Sequence, residues 1–290
     1  MVHMRAELLK HRAALKVAFL LLIVGAVAVY AIPAGFLLAD ARAGAVGTGS
    51  VAIGLPNSAM YGLTLLGTTS PFVGLLLGVA LGAKEFRPNT IETSIVASGG
   101  WRRLIAAKFA LIAVAVAAVT ATVLLVCAMC ATIVTVAVAR SIPDSVSLVE
   151  PVRADPAELS VGLLSVLAGL CMWAAMGFFI GSVAKSMFVG SVIGVAWLIV
   201  EAFWVSPYIP GTAQAALLDA LTYVAGRYSS VYGPPHLGLS WAFGAYASLG
   251  WTVAFLAGAW LVWRARFRDR RRVLATPARA AVDARRRIAP

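Results

Sequence analysis

Charge is what this chain has least of. Only 12% of its residues are Asp, Glu, Lys or Arg, against 61% hydrophobic, and the mean hydropathy is +0.90. A soluble domain carries about twice that charged fraction, so a water-soluble globular protein is excluded. The three histidines (His3, His11, His236) are scattered. No His, Asp and Glu cluster recurs at helical spacing, so the sequence offers no catalytic residue and no metal site. Cys127, Cys130 and Cys171 all fall in apolar runs. Cys127-Ala128-Met129-Cys130 has a form used for redox or zinc chemistry. With no His or second Cys pair beside it to complete a ligand set, it reads as small packing residues on one helix face. A phosphate-binding loop is also missing. Gly78 to Lys84 is Gly-rich, but Glu85 follows Lys84 where Ser or Thr would be needed. The chain has no cofactor of its own, and any ATP-driven activity requires ATP and Mg in a partner subunit.

What is present is a series of long apolar runs, at roughly 17–39, 60–83, 109–133, 160–183, 187–205 and 241–263. Uncharged runs of more than about 18 residues read as membrane spans. Barrel strands are shorter and alternate. The expected fold class is therefore an all-α integral membrane protein with six transmembrane helices forming a domain over 17–263. The third run continues to Ala139, long enough to tilt or project beyond the bilayer. The first has no small-residue cleavage end and is expected to remain as an anchor. Residues 1–16 read as an amphipathic helix on the membrane surface, with Met4, Leu8 and Leu15 toward lipid and Arg5, Lys10 and Arg12 toward headgroups.

Orientation follows from Lys and Arg. With the N-terminus inside, twenty of the 24 basic residues fall on the inner side, leaving Arg42, Arg140, Arg153 and Arg227 outside. Both termini are then cytosolic, in a multi-pass protein of the cytoplasmic membrane. The net charge of +12 is a matter of topology and calls for no nucleic acid. The Arg- and Ala-rich tail 264–290 is expected to lack fixed structure and to bind anionic lipid. An excess of Arg over Lys, with abundant Ala, Val and Gly, suits a bacterial, GC-rich genome.

Three features inside or beside the spans stand out. Gly74, Gly78 and Gly82 share one helix face, as do Gly177 and Gly181, and Gly190 and Gly194. Small residues at this spacing admit close helix approach, either within the chain or at a subunit contact. Glu201 is the one acid within a span. It reads either as hydrogen-bonded near the outer interface or as a membrane-embedded polar site with a substrate or subunit role. The segment 206–240 contains an apolar helical stretch, Ala213 to Ala225, too short to cross and expected to be re-entrant or interfacial.

The largest internal polar segment is a short island between the second and third runs. Pro88 stops the preceding helix. Asn89 caps a new one, and Glu92 completes a capping-box-like arrangement. Ile91, Ile95 and Ser98 share a face, and Gly99-Gly100 ends the turn before Trp101-Arg102-Arg103. On spacing alone this is either a two-turn amphipathic helix or a solvated loop.

Lys84-Glu85-Phe86, Asn89-Thr90, Ser94-Ile95-Val96, Ser98-Gly99-Gly100, Arg102-Arg103 and Lys108 together resemble the intracellular loop of type-2 ATP-binding-cassette (ABC-2) exporter permeases. The sequence departs from that pattern at Asn89, where Gly is usual, and at Gly99-Gly100, where Pro is common. The resemblance implies that the island is a coupling helix docking on an ATPase, with Arg87, Asn89, Thr90, Ile91, Glu92, Ser94, Ile95, Arg102 and Arg103 as its residues. It further implies a permease dimer served by two copies of a cytosolic ABC ATPase. The largely apolar spans favour a hydrophobic or amphipathic cargo such as a drug, peptide antibiotic or lipid. The rival reading is a secondary transporter driven by an ion gradient, which normally places ionisable groups near the midplane.

Overall fold

The computed structural model describes residues 58–83, 100–141, 156–203, 209–218 and 240–288, with isolated residues between 20 and 35. Those isolated residues, Leu20, Ile23 to Gly25, Val27 and Gly35, are helical. The expected surface helix over 1–16, most of the first span and the island from Arg87 to Gly99 lie outside the described residues. The helices are α1 (Ser58–Ala83), α2 (Trp101–Ser141), α3 (Pro156–Ala184), α4 (Met187–Phe203), a short α5 (210–218) and α6 (Trp241–Ile288). No strand occurs among the described residues.

Four stretches are long and apolar enough to cross a bilayer: Leu65–Ala83, Trp101–Ile133, Leu159–Ala184 and Trp241–Phe267. The chain is an all-α, multi-pass membrane protein. α4 is apolar over Met187–Glu201 but shorter than these four. α2 begins at Trp101, well before the expected apolar start at 109, because Trp101 to Lys108 continue its register as helix formers. Its 41 residues span about 60 Å at 1.5 Å per residue, twice the thickness of a hydrocarbon core.

Helix ends follow local chemistry. Gly100, at φ 135°, adopts a backbone conformation that side-chain-bearing residues avoid, and its carbonyl accepts from Leu104 N–H at 3.1 Å to open α2. Lys185, at φ 57°, closes α3, its N–H bonding Gly181 O at 3.0 Å. Ser186 then caps α4, its Oγ accepting from Val189 N–H at 3.4 Å. Ser240 caps α6 in the same way, accepting from Phe243 N–H at 3.2 Å. The tail, expected to lack fixed structure, is instead helical to Ile288. Ala, Arg and Leu favour the helix, which continues past Pro277.

α1 and α3 pack as a close parallel pair. Gly74 meets Leu170 and Trp173, Gly78 meets Ala174 and Phe178, and Gly82 meets Phe178 and Ser182. From the other side Gly177 lies on Leu75 and Gly181 on Val79. A Cβ at Gly78 or Gly177 would overlap backbone atoms of the facing helix, so glycine is required there by distance. Gly190 and Gly194 turn toward Val79 and Leu75 of α1, in antiparallel register. All seven glycines thus serve contacts within the chain. α6 runs parallel to α3, with Trp241 beside Ser165, Phe255 beside Phe179 and Trp263 beside Ser182. The alternation of directions requires α5 to begin and end on the same side as the end of α4 and the start of α6. One core joins α1, α2, α3 and α6; a second joins α1, α3 and α5, with α4 and α6 packed against it.

Candidate functional site: a polar latch at the proline break of α1

Pro71 lies within α1 and has no N–H. Gly67 O, four residues earlier, therefore loses its helical donor, in a setting where an unpaired carbonyl is costly. Two side chains replace it. Ser70 Oγ donates to Gly67 O at 2.8 Å, and Gln214 Nε2 donates to the same oxygen at 2.6 Å. The second hydrogen of the Gln214 amide reaches Ser70 Oγ at 2.7 Å. Gln214 Oε1 accepts from the Trp173 indole N–H of α3. Thr68 and Thr69 bond back to Leu65 O at 3.0 and 2.8 Å, adding hydroxyls around the same break.

Gln214 comes from α5. Ala213, Ala216 and Leu217 of that helix are fully buried, and Ser70, Trp173 and Gln214 are each at most 5% exposed. α6 accommodates α5 at Gly244, where a Cβ would stand 2.8 Å from Leu217 N and 3.0 Å from Ala213 O. α5 is therefore inserted between helices at the level of Ser70 and Trp173, both inside stretches long enough to span. Its first turn is held separately. Glu201, near the end of α4, accepts from Trp197 Nε1 at 2.6 Å and from the Gly211 backbone N–H. A carboxylate at that position complements the positive end of α5. The amide of Gln214 fixes the middle of α5 and the carboxylate of Glu201 fixes its start.

Among the described residues no group of three metal-ligating side chains occurs. In this arrangement a short helix is bonded to a long one at the proline break of the latter. The sequence contains a signal that the glycine and acid patterns did not use. Gln214 is the only glutamine in the chain, and it sits in an otherwise apolar stretch.

A second constellation lies at the opposite end of α2, α3 and α6. Trp101 stands 5.8 Å from Trp260 and 5.9 Å from Phe267. Phe178 stacks on Trp263 at 6.4 Å, and Trp263 Nε1 donates to Ser182 Oγ at 3.0 Å. Arg266 Nη2 donates to Val183 O at 3.2 Å, covering a carbonyl at the end of α3. Lys108, counted among the inner cations, is fully buried in the bundle. Arg102 and Arg103 are exposed in the first turn of α2. The other expected island residues, Arg87, Asn89, Thr90, Ile91, Glu92, Ser94 and Ile95, lie outside the described residues.

Neither protein-family models, nor curated proteins, nor solved structures give a match to this chain.

Proposed function

We propose that this chain is the transmembrane permease subunit of an ATP-driven exporter of the type-2 ABC class. It crosses the cytoplasmic membrane six times, through the run at 17–39, α1, α2, α3, α4 and α6, with both termini in the cytosol. α5 is a re-entrant helix on the outer side, and the island from Arg87 to Gly99, ahead of α2, is the coupling helix. Two copies of the permease form a homodimer above two ATPase subunits, which bind ATP and Mg. The cargo is hydrophobic or amphipathic.

The observation that supports this reading most is the placement of α5. A short helix buried at membrane depth, between helices that leave from the same side, is a plug anchored at two points. It lies beside the proline break of α1, where that helix bends at least cost. The island leads through Gly100 into α2, one continuous helix of 41 residues. A push on the island thus moves the whole length of α2 against the core it shares with α1 and α3. ATPase closure would tilt α2, strain the α1–α3 pair and release α5 from its latch, alternating access to a central or lateral path.

The secondary-transporter reading draws less support. The membrane-embedded acid, Glu201, is engaged by Trp197 and Gly211 at the start of α5. That engagement gives the acid a structural use, holding the start of α5.

Purification of the full chain from its native membrane tests the proposal. An ABC ATPase should accompany it in equal stoichiometry. Transport that persists in vesicles without ATP and collapses with the ion gradient would refute it.

A further inference from the structure

The inner end of the bundle carries cations that the packing does not use. Arg102 Cζ lies 5.7 Å from the ring of Trp101, and Arg264 Cζ lies 5.2 Å from the ring of Trp260. The two indoles are themselves 5.8 Å apart, so the guanidinium groups stand over adjoining rings contributed by α2 and α6. Both arginines are exposed, as are Arg103 and Lys185 on the same rim. None of the described residues of this rim, 80–83, 100–109, 178–190 and 258–267, is acidic. The first turn of α2 has two arginines and no acid. That is the unfavourable sign for the positive end of a helix. An anion placed there offsets the conflict.

A guanidinium held over an indole ring loses conformational freedom before any ligand arrives, while its N–H fork can still pair with an anion. This is the geometry that grips a phosphate through paired hydrogen bonds. Indoles at the end of apolar helices sit at headgroup depth. We propose that Arg102 on Trp101 and Arg264 on Trp260 form a seat for the phosphate of an anionic lipid in the inner leaflet, where the first turn of α2 meets α6. The assignment to the inner leaflet rests on the orientation used above; the site does not depend on an ATPase. It differs from diffuse attraction by the basic tail, because it places a lipid against the first turn of the helix that the island drives. A free phosphate offers the same oxygens without the acyl chains that the neighbouring apolar surface would cover. An acidic protein surface would have no use for the indoles at bilayer level.

Tryptophan quenching by brominated lipids tests the seat. The purified full-length chain is placed, without an ATPase, in phosphatidylcholine vesicles containing either brominated phosphatidylglycerol or brominated phosphatidylcholine. Phosphatidylglycerol should quench more strongly. Each of Arg102→Gln and Arg264→Gln should lower that preference roughly tenfold, as expected from the loss of a hydrogen bond between charged partners. Arg103→Gln, which has no indole beneath it, should change it less. Inorganic phosphate at the ionic strength of a chloride control should not displace the lipid. Equal quenching by the two lipids, or equal losses for all three variants, overturns the seat. Displacement by inorganic phosphate would assign it to a free anion instead. Unchanged lipid preference in Arg102→Gln, with ATPase association lost, would make the rim a protein contact. Failure to find any ATPase partner would refute the exporter reading while leaving this result untouched.

Discussion

The latch makes a quantitative prediction because Pro71 and Gln214 act on one atom. Gln214→Leu removes donors from Gly67 O and Ser70 Oγ and leaves the Trp173 N–H buried without its acceptor. At about 1 kcal/mol for each of the two net hydrogen bonds and about 1–3 kcal/mol for the orphaned buried donor, the loss should be about 3–5 kcal/mol. Pro71→Ala changes the arithmetic. The new N–H at position 71 can bond Gly67 O within α1, so one of the two Gln214 bonds becomes redundant. Gln214→Leu should therefore cost about 1 kcal/mol less in the Pro71→Ala background. Reversible unfolding in detergent micelles, measured for wild type, both single variants and the double variant, gives the coupling energy. Additivity within about 0.3–0.5 kcal/mol would mean that the two residues act independently, and the latch as described would be wrong.

Other expectations follow from separate contacts. Gly78→Leu should prevent the α1–α3 approach and cost more than the about 1–3 kcal/mol typical of overpacking, because the obstructing atoms are the backbone of α3; retention of normal thermal stability would contradict the seam. Glu201→Ala should free the start of α5 and raise cysteine-reagent labelling at position 211 or 212, whereas Glu201→Gln, which keeps a carbonyl acceptor, should do so less. For orientation, cysteines introduced in the 140–158 segment should react with an impermeant reagent in intact cells and a cysteine at position 1 should not; the reverse pattern would invert the topology.

Four of the six expected spans were legible because lipid imposes a simple demand, an uninterrupted apolar helix, and α1, α3 and α6 meet it almost where the apolar runs begin and end. The start of α2 was not, since Trp101 to Lys108 look like loop cations until the helix is seen to continue through them. The glycines announced close packing, but spacing along one helix cannot say which helix fills the gap. Gly190 and Gly194, equally suited to a subunit contact, turn out to face Val79 and Leu75. Glu201 was visible as an anomaly, yet its partners come from Gly211 beyond the end of α4 and from Trp197 one turn back. The latch was hidden for a deeper reason. A proline and a glutamine 143 positions apart are each unremarkable, and only the fold reveals that one supplies what the other removes. The tail shows the limit of composition, because an Arg- and Ala-rich segment suits both a solvated coil and the helix found here.

The central claim is that the island transmits ATPase motion into α2, and Ile95 is the residue that tests it most directly. Ile91 and Ile95 share one face of the expected coupling helix and need a partner to cover them. Burying each is worth roughly 1.5–3 kcal/mol, and a carboxylate in the same place would have to be desolvated. The measurement is ATP-dependent transport, together with ATPase co-purification, for wild type, Ile95→Asp and the neighbouring control Thr93→Ala. The account predicts that Ile95→Asp inserts normally in the membrane but loses the ATPase and abolishes transport, while Thr93→Ala changes little. Full ATPase association and full transport in Ile95→Asp would show that the island is a connecting loop and would contradict the account.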